Sequence, residues 1–311
     1  MEFSHLSVLL SETVECLNVR PEGIYIDGTA GGAGHSAEIA RRLTTGRLIA
    51  VDRDPDAVRV ASQRLAPWPQ ATVIHGDFRN LGVLAARCEI SHVDGVLLDL
   101  GVSSYQLDAA ERGFSYHTDA PLDMRMSQEG MSAKDVVNSY SASELTRVLR
   151  DYGEEKFAPR IARFIVEQRA KSPIQTTLEL AELIKSAIPA YARREGGHPA
   201  KRSFQAIRIE VNGELMALET ALEDAFELLS VGGRLAVITF HSLEDRMVKR
   251  RFATYIRGCT CPPDFPVCVC GHSPAGRLVL RKPITASEEE IALNKRSRSA
   301  HLRCIEKLID V

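Results

Sequence analysis

The chain has 311 residues, about twice the usual length of one domain, and a formal charge of −2 from 39 basic and 41 acidic residues. This balance excludes a uniformly basic protein, and apolar and charged fractions of 44% and 26% exclude a disordered or collagen-like chain. No apolar run approaches the roughly 18 to 20 residues of a membrane helix, so the sequence predicts a cytoplasmic protein with no membrane contact.

Short apolar runs separated by helix-length segments occupy the first hundred residues. The runs lie at 23–27, 47–52, 71–75 and 93–98, and they are rich in apolar and β-branched residues. Parallel strands that are buried on both faces show this near-continuous pattern. The alternation therefore predicts βαβ units and a doubly wound α/β sheet.

The pattern changes after residue 104. From about 105 to 202 there is no strand pattern, and capping boxes mark helix starts at Ser132, Ser141 and Thr176. Apolar residues spaced three and four apart then predict one helix of about seven turns from Ser203 to Leu229, ended by two glycines, with strands at 235–240, 278–282 and 301–308. We predict a discontinuous core of residues 1–106 and 203–311, and an inserted all-helical domain at 107–202 that recognises the substrate.

A glycine-rich loop is the most informative local pattern. Residues 27–35 read DGTAGGAGH, with four glycines between a predicted strand and a predicted helix. Such a loop brings the backbone close to a ligand and exposes amides at the helix N-terminus, which is typical of nucleotide sites. Gly32, Gly34 and Ala37 match the dinucleotide pattern G-x-G-x-x-G/A. However, Asp27 at the end of the strand suits a cationic ligand better than a pyrophosphate, which favours S-adenosylmethionine.

Further candidates follow the other predicted strands, at the edge where open α/β sheets bind ligands. Asp52 ends the second run and is placed to accept hydrogen bonds from a ribose, whereas Asp54 suits a helix N-cap. Phe78 follows the third run and is suited either to stack on an adenine or to fill the core. Asp99 and Gln106 come after the fourth run.

Six motifs in order resemble one known family. They are DGTAGGAGH (27–35), LDLGVSS (98–104), PLDMRM (121–126), FQAIRIEVN (204–212), FHSLEDR (240–246) and RSRSA (296–300). Together they are similar to the MraW, or RsmH, family of bacterial 16S rRNA (cytosine-N4)-methyltransferases, and the similarity runs from His5 to the C-terminal strand. The motif after the fourth strand lacks the Asp/Asn-Pro-Pro-Tyr tetrad of DNA amino-methyltransferases, so no mechanism is carried over from those enzymes.

The resemblance implies a Rossmann-like S-adenosylmethionine-dependent methyltransferase core. It also implies a substrate: a cytidine in the decoding region of 16S rRNA within the small ribosomal subunit. The cofactor contacts that it implies are Ala33, Gly34, His35, Asp52, Phe78, Asp99 and Gln106. The sequence departs from the family at Lys295 and Ala286, where members usually have proline, but neither position belongs to the cofactor motifs.

The chemistry of a cytosine amine narrows the catalytic candidates. Its lone pair is delocalised into the ring, so the site must align the amine and accept hydrogen bonds from it. We predict Asp99 as the acceptor, with a backbone carbonyl near Gly101 as the alternative. His241 is a second catalytic candidate, and a structural histidine is its alternative. Asp123 and Arg125 are candidates either for the same cleft or for a structural ion pair.

Basic and cysteine-rich segments raise the remaining possibilities. Residues 246–257 contain five basic and no acidic residues, and 295–303 contain four, so both suit RNA phosphates. A third basic cluster lies at 193–202.

The seven cysteines do not form a secreted disulfide framework, and we predict no metal. Zinc held by four of them is the alternative: Cys259, Cys261, Cys268 and Cys270.

Two other functions are compatible with parts of the sequence. The first is a nicotinamide-dependent oxidoreductase, which only the dinucleotide pattern favours. The second is an assembly factor that binds RNA and holds the cofactor as a ligand, without transferring its methyl group. The oligomeric state is open, with a homodimer among the alternatives.

Overall fold

The computed structural model describes residues 7–194, 197–258, 261, 267 and 269–310. The chain divides into two compact units. The first unit combines Met1–Gly101 with Met216–Val311, and the second is Val102–Leu215.

The first unit contains a seven-stranded sheet in the order β3-β2-β1-β4-β5-β7-β6. The first five strands in this order are parallel, and β7 is antiparallel to both of its neighbours. The strands are β1 Ile24–Asp27, β2 Arg47–Asp52, β3 Ala71–His75, β4 Val93–Asp99, β5 Leu229–Thr239, β6 Gly276–Leu278 and β7 His301–Lys307. The predicted doubly wound sheet is confirmed. Its order reverses between β1 and β4, which is where ligands bind in such folds.

Helices connect the strands and build the second unit. In chain order the described α-helices are α1 Leu10–Leu17, α2 Gly34–Arg42, α3 Pro55–Leu65, α4 Leu81–Arg87, α5 Ser104–Asp108, α6 Ala133–Ser139, α7 Ala142–Gly153, α8 Ala158–Arg169, α9 Thr177–Ala187, α10 Lys201–Asn212, α11 Glu214–Leu228, α12 Ser242–Tyr255 and α13 Glu288–Leu293. Short 3₁₀ turns lie among them, including Phe78–Asn80 and Lys295–Ser299.

The strands β1, β2 and β4 are buried on both faces, which explains their continuous apolar runs, whereas the edge strand β3 has no buried residue. In β2, Leu48 and Ala50 belong to one hydrophobic cluster, and Ile49 and Val51 belong to another. Since successive side chains of a strand point to opposite faces, a strand covered on both sides needs an apolar residue at nearly every position.

The second unit is helical, as predicted, and its helices begin where the capping boxes indicated. Ser132, Ser141 and Thr176 each accept a hydrogen bond from the backbone amide three residues later, and the side chain at that position bonds back. These local bonds satisfy amides that a helix start otherwise leaves open.

The unit boundaries differ from the predicted ones because the long predicted helix is broken. Gly213 adopts a left-handed conformation with φ 58° and separates α10 from α11. Within the second unit, Asn212 donates to the Met124 carbonyl at 2.8 Å and accepts from the Met126 amide at 2.9 Å. Helix α10 therefore belongs to the second unit. The two glycines predicted to end the helix, Gly232 and Gly233, lie inside β5 instead.

Candidate active site

The glycine loop joins the end of β1 to the start of α2. Gly31 and Ala33 are left-handed, with φ of 50° and 57°. The Gly31 amide donates to Asp52 Oδ2 at 2.7 Å, and Arg64 Nη1 donates to the Gly32 carbonyl at 2.9 Å. The loop is thus tied to the carboxyl end of β2 and to α3.

Asp27 holds this loop from within. It is 1% exposed, and its Oδ2 accepts from Ser36 Oγ at 2.6 Å while its Oδ1 accepts from the Thr29 amide at 3.0 Å. Burial raises the pKa of this carboxyl. Its observed partners are those of a residue that orders the loop, and we therefore revise the expectation that Asp27 faces a cationic ligand.

Asp52 lies at the end of β2 and is half-buried. Its Oδ1 accepts from the Asp54 amide at 2.9 Å, and Oδ2 accepts from Gly31. Burial raises the pKa of Asp52 to about 6. The two backbone hydrogen bonds oppose this shift, and the nearby carboxylates of Asp54 and Asp27 add to it. Asp54 itself caps α3, accepting from the Asp56 amide at 3.0 Å. Each Asp52 oxygen has a second lone pair, so the carboxylate retains acceptor capacity for a ligand.

Asp99 ends β4, and its side chain has a buried atom without a hydrogen bond to any described residue. Its amide donates to Thr29 Oγ1 at 2.6 Å. The Oδ1 atom is buried and has no hydrogen-bond partner among the described residues. Burial, together with the carboxylates of Asp27 and Glu244, raises the pKa of Asp99 well above its ordinary value. A buried acceptor without a partner and with a raised pKa indicates a ligand site.

His35 connects Asp99 to the beginning of the chain. It is 5% exposed, and its Nε2 lies 3.0 Å from the Val8 carbonyl. A carbonyl only accepts, so Nε2 carries the proton. The other ring nitrogen, Nδ1, lies 3.5 Å from Asp99 Oδ2.

Phe78 approaches the same loop. It begins the 3₁₀ turn that follows β3 and is half-buried. A Cβ atom added to Gly28 would lie 2.7 Å from Leu98 Cδ2 and 3.2 Å from Phe78 Cβ, so a side chain at this position would have to displace that of Leu98. The structure thus brings together six of the predicted cofactor residues in the first unit: Ala33, Gly34, His35, Asp52, Phe78 and Asp99.

Comparison with known proteins identifies the chain's relatives. Residues 2–308 match the model of the MraW methylase family. The chain belongs to this family. As a member, it is an S-adenosylmethionine-dependent methyltransferase, and the buried acceptor of Asp99 beside the glycine loop fits such a cofactor.

The relatives of this chain match along nearly its full length. It is 57% identical to Ribosomal RNA small subunit methyltransferase H of Symbiobacterium thermophilum, covering 99% of this chain and 98% of that one. It is 54% identical to the Clostridium botulinum protein of the same name, covering 99% and 100%. A solved rRNA methylase from Streptococcus thermophilus is more distant, with 13% identity, a TM-score of 0.44 and coverage of 98% and 100%.

Gln106, the seventh predicted cofactor residue, lies in the second unit. It is 5% exposed, and its side-chain oxygen accepts from the Ser103 amide at 3.0 Å. Ser103 Oγ in turn accepts from the Gln106 amide at 3.2 Å, which completes a capping box for α5. Cofactor contact by Gln106 stays a prediction.

His241 caps α12 in the first unit. Its Nδ1 accepts from the Glu244 amide at 3.4 Å, and its Nε2 lies 3.1 Å from Glu244 Oε1. Glu244 Oε2 accepts from the Phe240 amide at 2.9 Å. These contacts match the structural alternative, and the catalytic role of His241 stays a prediction.

Asp123 and Arg125 form an ion pair in the second unit, with Arg125 Nη2 2.6 Å from Asp123 Oδ2 and Arg125 Nε 3.0 Å from Asp123 Oδ1. Arg125 also donates to the Gly130 carbonyl at 3.2 Å. These contacts are those of a structural ion pair, which was one of the two roles predicted for Asp123 and Arg125.

The arginines of the basic segments differ in their exposure. Arg303 makes a two-bond ion pair with Asp245 at 2.7 and 2.9 Å, and Arg251 pairs with Glu223. Arg296 and Arg298 are exposed on the turn Lys295–Ser299. Phosphate contact stays a prediction, and exposure favours Arg296 and Arg298 over the half-buried Arg303.

Cys259 and Cys268 of the alternative zinc site lie outside the described residues. None of the described helices combines the length and apolarity that a membrane span requires.

Sequence reasoning missed several residues that order the site. Thr29 and Ser36 bond to Asp27, and their hydroxyls beside the glycines were a usable local signal. Val8 and Glu290 gave no such signal, because they reach the site only through the tertiary fold.

Proposed function

We propose that this chain methylates the exocyclic N4 of a cytidine in the decoding region of 16S rRNA within the small ribosomal subunit. The family match across residues 2–308 carries this proposal, and the names of the relatives support a small-subunit rRNA substrate. We assign substrate recognition to the helical second unit. A ribosomal substrate also favours a cytoplasmic location for the protein. Whether the chain forms a homodimer is tested by sedimentation of the purified protein.

The cofactor supplies an electrophilic methyl group on a sulfonium. The residues that would hold it are those of the glycine loop, Asp52 at the ribose and Phe78 at the adenine. A positive charge near Asp99 favours its ionised form, because opposite charges within a few ångströms offset the cost of burial.

Asp99 then has two tasks. Its Oδ1, which has no partner among the described residues, accepts a hydrogen bond and thereby orients the target amine. Once the methyl group has been transferred and the sulfonium charge is gone, burial again raises the pKa of Asp99, so that it can hold the proton that the amine loses. Orientation supplies much of the acceleration, since the amine is a weak nucleophile that must be aligned.

Tritiated methyl transfer tests the proposal, with naked 16S rRNA and assembled small subunits as parallel substrates. We expect label in the subunits and, after digestion to nucleosides, co-migration with N4-methylcytidine. Label on another nucleoside would overturn the proposed substrate atom. Binding without any transfer would favour the assembly-factor alternative.

Cofactor affinity is expected to fall as the pH is lowered from about 8 to about 5, with an inflection near the Asp52 pKa of about 6. Above this pKa the carboxylate is ionised and is a strong acceptor, and below it the protonated group accepts weakly. Calorimetric titration at each pH measures the effect. Asp52→Asn is the control, and an unchanged inflection in this variant would assign the titration to another group.

Replacing Arg296 and Arg298 together with alanine is expected to weaken binding of the ribosomal substrate and to reduce its salt dependence. Each lost phosphate contact lowers the slope of log affinity against log salt by roughly 0.7 to 0.9. Binding measured at several salt concentrations gives this slope. The matched control replaces Arg59 and Arg87, exposed arginines of α3 and α4, so that the same charge is lost elsewhere. Equal slopes for both double variants would assign Arg296 and Arg298 to a solvated role.

A further inference from the structure

Glu290 of α13 makes a hydrogen bond across almost the entire sequence. Its Oε1 accepts from the Leu9 amide at 2.9 Å, over a separation of 281 residues. Leu9 is 1% exposed and left-handed, with φ 53°. A buried amide in a conformation that non-glycine residues rarely adopt needs a partner to hold it, and Glu290 provides that partner.

Residues 7–9, here called the N-terminal segment, also contact the glycine loop directly. The Val8 carbonyl accepts from His35 Nε2 at 3.0 Å. A Cβ atom added to Gly34 would lie 1.8 Å from Ser7 Oγ, so the segment packs closely against the start of α2. His35 in turn places its Nδ1 3.5 Å from Asp99 Oδ2.

These contacts form a continuous path from the carboxylate of Glu290 through the N-terminal segment and His35 to Asp99. We propose that Glu290 is a positioning residue of the cofactor site: it holds the N-terminal segment, which sets the ring of His35 and thereby the carboxylate of Asp99. The inference rests on the proposed function, because it assumes that S-adenosylmethionine binds at Asp99.

Glu290 differs in burial from the two glutamates that precede it, and one of these provides a control. Glu288 and Glu289 in the same helical turn are exposed, whereas Glu290 is half-buried. The Glu290 amide donates to Ser287 Oγ at 3.2 Å, so its backbone is fixed by the helix cap independently of its side chain. Replacing the side chain therefore removes the bond to Leu9 and keeps α13 capped.

Three variants test the proposal. Glu290→Ala removes the acceptor, Glu290→Gln keeps an oxygen that can accept from Leu9, and Glu289→Ala is the matched control. We expect Glu290→Ala to weaken S-adenosylhomocysteine binding by about fivefold or more, as one lost hydrogen bond predicts, and to raise the KM for S-adenosylmethionine more than it lowers kcat. Glu290→Gln is expected to restore most of the affinity, and Glu289→Ala to match the wild type.

Amide hydrogen exchange of the ligand-free protein gives a readout that does not depend on activity. Faster exchange is expected in Glu290→Ala for peptides containing Leu9 and for peptides spanning 27–35. Wild-type exchange at 27–35 and wild-type affinity, even with a lowered Tm, would leave Glu290 a purely structural residue and overturn the proposal. So would a Gln variant as impaired as the Ala variant.

Failure of the proposed function would appear differently. In that case the wild-type protein itself would transfer no methyl group to the ribosomal substrate, whatever the variants do. Wild-type activity together with unaltered Glu290→Ala would overturn only the role of Glu290.

Discussion

Asp99→Asn is expected to lower the single-turnover rate of methyl transfer by about tenfold to a hundredfold at saturating cofactor, with little change in Tm. The variant keeps the shape of the side chain but replaces an ionised acceptor with a neutral amide, and one charge-assisted hydrogen bond is worth roughly 1.5 to 3 kcal/mol. Oδ1 has no hydrogen-bond partner among the described residues, so the substitution breaks no observed bond of that atom.

Single-turnover rates and melting curves, measured side by side, decide between this role and a structural one. If Asp99 only ordered the turn after β4 through its amide bond to Thr29, asparagine would serve nearly as well. A near-normal rate, whatever the Tm, would therefore contradict the proposed role. Asp56→Asn, at a half-buried position of α3 outside the cofactor motifs, is the control for the loss of one carboxylate charge.

Asp52→Ala is expected to weaken S-adenosylmethionine binding by at least about tenfold, since a charged acceptor contributes roughly 1.5 to 3 kcal/mol for each bond. Part of the loss would arise within the protein, because the Gly31 amide loses its acceptor and the glycine loop loses a tie to β2. Calorimetric titration of the folded variant measures the change. Wild-type affinity would remove Asp52 from the site.

Asp54→Ala is the matched control for this prediction. Asp54 lies two residues away, and its side chain caps α3. Its loss is expected to cost about 1 kcal/mol of folding stability and to leave affinity near the wild-type value at neutral pH. A lowered Tm in Asp54→Ala and a weakened affinity in Asp52→Ala would separate the capping carboxylate from the binding carboxylate.

Local sequence determined most of the secondary structure of this protein. The four strands before residue 100 lie where the apolar runs predicted them. In β1, β2 and β4, burial on both faces requires apolar residues at successive positions, whereas the edge strand β3 has no buried residue. The helix starts at Ser132, Ser141 and Thr176 also follow the sequence, since a capping box spans only four residues and its bonds are local. The family motifs then placed the candidate site at the carboxyl ends of the parallel strands.

The tertiary structure alone decided where the helical unit ends. The helical spacing of apolar residues continues across Gly213, so the sequence predicted a single helix from Ser203 to Leu229. This spacing does not reveal that Gly213 adopts the left-handed conformation that separates α10 from α11. The side chain of Asn212 bonds to backbone groups 86 and 88 residues away, and these bonds place α10 in the second unit.

The tertiary structure likewise decided how the carboxylates of the site are used. Asp27, Asp52 and Asp99 each end a strand, and by sequence position alone all three face a ligand. Folding brings Ser36 and Thr29 onto Asp27, leaves the Oδ1 atom of Asp99 without a described partner, and brings Glu290 to Leu9 across 281 residues. Thr29 and Ser36 lie only two and nine residues from Asp27, so those bonds are local. The bond between Glu290 and Leu9 joins distant segments, and no local spacing encodes it, because any polar residue elsewhere in the chain is a potential partner until the fold selects one.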